Sequence, residues 1–128
     1  MAHPRMYTDD DPYLAEIRRI ALGFPEATEV EAWGRPTFRA KKMFGIYSGS
    51  MSQRLSLEFL PDHGELEALR QDPRFYVPQY SGAFGWLALD LTAEEPDLAE
   101  IAELLESSFR RVAFKRMIAA LDASPRTP

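Results

Sequence analysis

Apolar side chains recur along this chain with two different periods, and the switches between them outline a fold. Leu14, Ile17, Ile20 or Ala21, and Phe24 are spaced for one face of a helix, with Glu16, Arg18 and Arg19 on the other. Asp11 before Pro12 predicts the start of that helix, because a carboxylate can cap the first free N–H groups and proline lacks one. Gly23 and Pro25 end it. From Pro36 to Phe59 the period shortens to two, with Phe38 and Ala40, then Phe44 and Ile46, then Leu55, Leu57 and Phe59 as inward sets. Three strands follow, joined at Lys41 and Lys42 and again at Ser48, Gly49 and Ser50, as an antiparallel meander. The same alternation sends Arg39, Arg54, Ser56 and Glu58 to the opposite face.

Pro61, Asp62 and Gly64 break the sheet, and Leu66 with Leu69 predict a short helix over 65–71. Residues 75–77 read as a short edge strand before Pro78, and 86–91 as a firmer one with Leu87, Leu89 and Leu91 on one face. A last helix begins near Pro96 and continues through Met117, with its acids early and its bases late, as the helix dipole favours. The expected architecture is therefore α+β: a mostly antiparallel sheet of about five strands, N-terminal and C-terminal helices packed on one face, and a short helix between strands three and four. Residues 1–10 are expected to be a flexible N-terminus, 11–122 a single domain and 123–128 a flexible tail.

Charge narrows the possible partners. The net charge of −5 opposes any general attraction to nucleic acid or to an anionic membrane, so such a role has to rest on a local cluster. The window 33–57 supplies one: Arg35, Arg39, Lys41, Lys42 and Arg54 occur there without a single acid. Interleaved with Trp33 and Tyr47, these cations could contact phosphates while the aromatics stack or wedge against bases. Alternatively, the lysines guard an edge hairpin against aggregation. The basic residues from Arg110 to Arg116 pose the same choice, between anion contact and stabilisation of a helix C-terminus.

Few residues invite chemistry. The chain has no cysteine, which removes thiolate nucleophiles, iron–sulfur ligation and cysteine zinc sites. His3 and His63 stand alone, without a metal-sharing neighbour at helical spacing, and no nucleophile-elbow pattern surrounds a serine. The glycines around Ser48–Ser50 and in 81–85 read as turns, and Asp90 reads as a sheet-surface partner for Arg39 or Arg54. Apolar runs are too short for a membrane span and no secretory signal is visible, so a cytoplasmic protein without a membrane partner is expected.

A set of short motifs adds a family resemblance. Phe24-Pro25-Glu26-Ala27-Thr28-Glu29, Trp33-Gly34-Arg35-Pro36-Thr37-Phe38-Arg39, Lys42-Met43-Phe44-Gly45, Leu55-Ser56-Leu57, Pro78-Gln79-Tyr80, Trp86 with Leu89 and Leu91, and Ser108-Phe109 with Val112-Ala113 occur in this order. Over 14–113 the chain thereby resembles the MmcQ/YjbR family. The resemblance implies a CyaY-like or secretion-chaperone-like fold and a non-enzymatic protein with a DNA-binding or regulatory role on duplex DNA. It brings no cofactor and no catalytic set. Arg39 and Lys42 are the motif positions that would touch phosphate, whereas Pro25, Trp33, Gly34, Pro36, Phe38, Phe44 and Trp86 would shape turns and fill the core. Two other readings stand beside it. The open sheet face could dock an unidentified protein partner, or the 81–86 loop with Tyr80 could form a small-molecule site, which requires a deep pocket with convergent polar groups.

Overall fold

The computed structural model describes residues 3–52 and 54–124. Helix α1 (Leu14–Ala21) is followed by strands β1 (Thr28–Ala32), β2 (Arg35–Arg39), β3 (Met43–Ser48) and β4 (Ser56–Phe59). Then come α2 (Leu66–Arg70), β5 (Phe75–Tyr76), a 3-10 helix (Ser81–Phe84), β6 (Leu87–Asp90), α3 (Leu98–Val112) and α4 (Lys115–Ala123). The strands form one antiparallel sheet in the order β1-β2-β3-β4-β6-β5. The class is the expected one with an additional strand, β1. That edge strand escapes the hydrophobic pattern because its one large apolar residue, Val30, is exposed and Glu29 and Glu31 flank it.

Cross-strand partners share a face, so the register sorts the side chains. Phe38, Gly45, Phe59 and Leu87 form one row and Tyr47, Leu57, Leu89 and Phe75 the next. These rows meet Leu14 and Ile17 of α1 and Ile101, Leu105 and Phe109 of α3 in a single buried core. A bulge interrupts the alternation: Phe38 pairs with Gly45 but Arg39 pairs with Met43, which leaves Phe44 as the extra residue. Phe44 turns to the helix side and meets Phe24 and Phe109 edge-on, with ring centroids 5.7 and 5.5 Å away. Beside it, a Cβ on Gly45 would lie 3.1 Å from Leu105 Cδ2, so glycine lets α3 settle closely on the sheet. Ser108 completes this contact: its Oγ donates to Phe44 O at 2.6 Å and accepts from Leu60 N at 2.9 Å. One expectation fails because of the bulge. Ile46 does not share the inward face with Phe44 but pairs with Thr37 and Glu58 on the open side.

Asp11 does not cap α1. Tyr13, in the left-handed region at φ 64°, precedes the helix and separates Asp11 from its first N–H groups. The Asp11 carboxylate instead accepts from Ser50 N (2.9 Å), Ser50 Oγ (2.6 Å) and Thr8 Oγ1 (2.9 Å), fastening the β3–β4 loop to the N-terminal segment. Residues 3–10, set outside the domain by the sequence, pack on it: Tyr7 is buried and Met6 N donates to Gly34 O at 2.9 Å. The remainder of both expected flexible ends, residues 1–2 and 125–128, lies outside the described residues.

The expected single C-terminal helix is two. Asp97 caps α3 by accepting from Ala99 N at 2.9 Å, and extended backbone at Ala113 and Phe114 separates α3 from α4. The break lets Met117 and Leu121 reach the core, and the ion pairs Arg110–Asp122 and Arg116–Glu26 hold the second helix in place. Among the described residues no helix is long and apolar enough to cross a membrane.

Candidate functional site

The sheet face turned away from the helices carries the row Thr37, Ile46, Glu58, Ala88 and Tyr76. Over part of this face the β1–β2 and β2–β3 turns, the loop before β6 and the end of α3 rise as walls. They enclose a cleft of about 1030 Å³ with Ile46, Glu58 and Trp86 among its lining.

Its polar centre is Glu58, only 5% exposed. Arg35 Nη1 donates to Glu58 Oε2 at 3.3 Å, and Ser81 Oγ donates to Oε1. A carboxylate removed from water needs such partners. Arg35 is less fully served. Its Nε is buried and has no acceptor, the one side-chain polar atom in that condition among the described residues. Lys41, Lys42 and Arg111 join Arg35 around the cleft, which sets four cations against the single carboxylate of Glu58. Arg111 is braced there by donating to Pro61 O at 2.7 Å. On a chain of net charge −5 this is a local reversal of sign.

Two walls are aromatic and strained. Trp33 and Gly34 are the central residues of the two-residue β1–β2 turn, at φ 53° and 75°. Such a turn suits Asn-Gly, and a bulky residue at positive φ is a rare conformation. Gly34 is required twice over, since a Cβ there would also sit 2.0 Å from Pro4 O. Tyr80, which also lines the cleft, adopts φ 68° and ψ −71°, and Ser81 N donates to Gln79 O at 2.9 Å. This is the strained, positive-φ form of the γ-turn. Both rings are displayed rather than packed, Trp33 55% and Tyr80 84% exposed.

Of the cations the sequence singled out, Arg35, Lys41 and Lys42 converge on the cleft; Arg39 and Arg54 do not line it. Arg39 Nε donates to Thr37 Oγ1 at 3.1 Å. Arg54 pairs with Asp90 at 3.6 Å, one of the two partners expected for that aspartate, and its guanidinium lies 3.6 Å from the Tyr76 ring centroid. Tyr47 is not an available stacking ring, because it is fully buried on the helix side and its OH donates to Pro12 O at 2.7 Å. Burial pushes its phenol well above the usual range. In the later basic cluster Arg110 and Arg116 are engaged by acids, while Arg111 reaches the cleft.

Trp33 and Trp86 line the cleft, where the resemblance implied structural work for both. The sequence places Glu58 on the open face, offers the 81–86 loop as a separate small-molecule site and offers 110–116 as a second basic cluster, but it does not bring Glu58, Ser81 and Arg111 together with Arg35. For Glu58 a signal existed, a carboxylate alternating with core residues Leu57 and Phe59. The fold of the 77–86 loop back over it follows no period. Among the described residues, no group of three or more histidine, aspartate or glutamate side chains is placed to hold a metal ion.

Comparison with known proteins matches this architecture to others. No curated protein matches the chain. Among solved structures, the crystal structure of Deinococcus radiodurans protein DR2400, with a DUF419 domain, is similar in fold at a TM-score of 0.66 and 18% identity, covering 97% of this chain and 94% of that one. The family model YjbR matches residues 22–111, a span that runs from the end of α1 to Arg111 and contains most of the cleft. The chain belongs to the YjbR family.

Proposed function

We propose that this protein is a non-enzymatic, cytoplasmic DNA-binding protein with a regulatory role, which holds the phosphates of duplex DNA with Lys41, Lys42 and Arg111 at the rim of the cleft. The observation that carries this reading is the convergence of Arg35, Lys41, Lys42 and Arg111 on one cleft of an otherwise acidic molecule. Phosphate contacts supply most of the affinity in such complexes, and a local cationic surface suffices for them. A binding role without catalysis is supported by the engagement of Glu58: the one carboxylate lining the cleft is tied to Arg35 and Ser81. Ser81 spends its hydroxyl proton on that buried acid.

Titration of a fluorescently labelled duplex at low salt tests the reading. Binding that weakens steeply with added salt, and weakens again in Lys41→Ala and Lys42→Ala, is the expected result. A duplex left unbound at low salt refutes it. The exposed side chains of Tyr80 and Phe84 favour a second reading, docking of a protein partner on the same face. Partner binding through those rings would be nearly indifferent to salt.

A further inference from the structure

We infer that the cleft receives a single nucleobase turned out of the helical stack, so that the protein prefers DNA carrying an unpaired nucleotide to a perfect duplex. This deepens the DNA reading of the same site and rests on it. The rim cations alone would serve any phosphate backbone, but they do not explain the aromatic walls. Trp33 and Tyr80 hold positive φ angles, both line the one cleft and both remain mostly exposed, so packing does not repay their strain. Strain retained at displayed side chains marks a binding surface. Flat rings in a cationic groove are the stacking platforms that unpaired bases use.

Below the rings, the floor offers what the edge of a base needs. Each carboxylate oxygen of Glu58 keeps a lone pair beyond the one bond it accepts from Arg35 or Ser81, and the Arg35 guanidinium has a buried Nε that lacks an acceptor. A base within the duplex stack presents only its edge in a groove and cannot lie flat on an exposed ring, whereas an extruded base brings its face to the aromatic lining and its edge to the polar groups. The phosphates on either side of it would then lie toward Lys41, Lys42 and Arg111. A cleft of about 1030 Å³ is ample for one nucleotide.

The chain has two tryptophans, and both line the cleft, so intrinsic tryptophan fluorescence reads this site and no other. Three labelled DNAs of one sequence would be titrated: a perfect duplex, the duplex with one unpaired thymine, and the duplex with an abasic unit in place of that thymine. The expected result is that the unpaired thymine binds about tenfold tighter than the perfect duplex and quenches the fluorescence, while the abasic DNA loses both effects. Trp33→Asn and Tyr80→Gly, which suit the positive φ at each position, should abolish the preference and leave perfect-duplex affinity within about twofold. Equal, salt-sensitive binding of all three DNAs would overturn the base pocket and leave the phosphate reading standing. A preference shared by the abasic DNA would likewise overturn it, since flexibility alone would be recognised. Thymidine monophosphate binding as tightly as the bulged duplex would replace it with a small-molecule site. Failure of every DNA to bind at low salt would instead refute the DNA reading on which it stands.

Discussion

Arg35 of β2 and Glu58 of β4 reach across the intervening strand β3 and meet at 3.3 Å, joining the most buried acid of the open sheet face to a cation of the cleft. The pair couples stability to binding with opposite signs. Glu58 is shielded from water, while Arg35 remains partly exposed, so the acid depends on the pair more than the base does. Neutralising Glu58 removes a charge-assisted bond and raises the positive charge of the cleft.

Glu58→Gln should therefore lower folding stability by about 1–3 kcal/mol and leave DNA affinity at low salt equal or higher. Urea unfolding and the duplex titration, run on the same preparation, check both halves. A stable variant, or one that binds DNA more weakly, would separate Glu58 from the cleft's electrostatics.

Trp33 should show the reverse trade. Asparagine tolerates the left-handed region that tryptophan occupies there, so Trp33→Asn should match the parent in thermal stability or exceed it by up to about 1 kcal/mol. Binding of the duplex with an unpaired thymine should fall at the same time, while perfect-duplex affinity stays within about twofold. Thermal unfolding followed by circular dichroism is the check, and a clear loss of stability would make Trp33 a structural residue.

Ser108 links α3 to the sheet inside the protein. Ser108→Ala leaves the Leu60 N–H without its acceptor and takes the donor from the Phe44 carbonyl, both inside the protein. A loss of about 1–3 kcal/mol is expected, seen as a lower urea midpoint at an unchanged slope.

These residues also mark how far the sequence could be read. The meander over β2, β3 and β4 was legible because Phe38, Leu57 and Phe59 alternate cleanly with polar neighbours. Ile46 falls on the other face because an extra residue at Phe44 restarts the alternation, and the adjacent Gly45, the one local sign of a bulge, is easily passed over within a strand. The break at Ala113 and Phe114 was hidden in the same way, since apolar residues continue at helical spacing on both sides. Three of the five cations proposed from the 33–57 window reached the cleft. The other two were lost to Thr37 and Asp90, neighbours that only the register reveals. Arg111 and Ser81 come from distant parts of the chain, and no local pattern joins them to Arg35.

Asp11 gives the fold an acid-sensitive fastening. Burial pushes its carboxyl upward, but the bonds from Ser50 and Thr8 outweigh it and hold the group below its ordinary 3.8. Because the folded value is the lower one, the unfolded chain takes up the proton first as pH falls. The stabilisation is complete at neutral pH and is lost as the pH drops below about 4 through the folded value. Asp11→Asn should cost about 1–2 kcal/mol at pH 7, and its deficit relative to the parent should shrink as the pH approaches the folded value. Urea midpoints of both proteins between neutral and acid pH test the sign directly; a deficit that grows with acid would contradict it.

If Lys41, Lys42 and Arg111 hold DNA phosphates, duplex binding must carry the corresponding salt dependence. Plotted as the logarithm of affinity against the logarithm of salt, the parent should give a steep negative slope, and the double variant Lys41→Ala/Lys42→Ala a slope shallower by about 2. No binding of duplex at low salt, or the same slope with and without the two lysines, would contradict it.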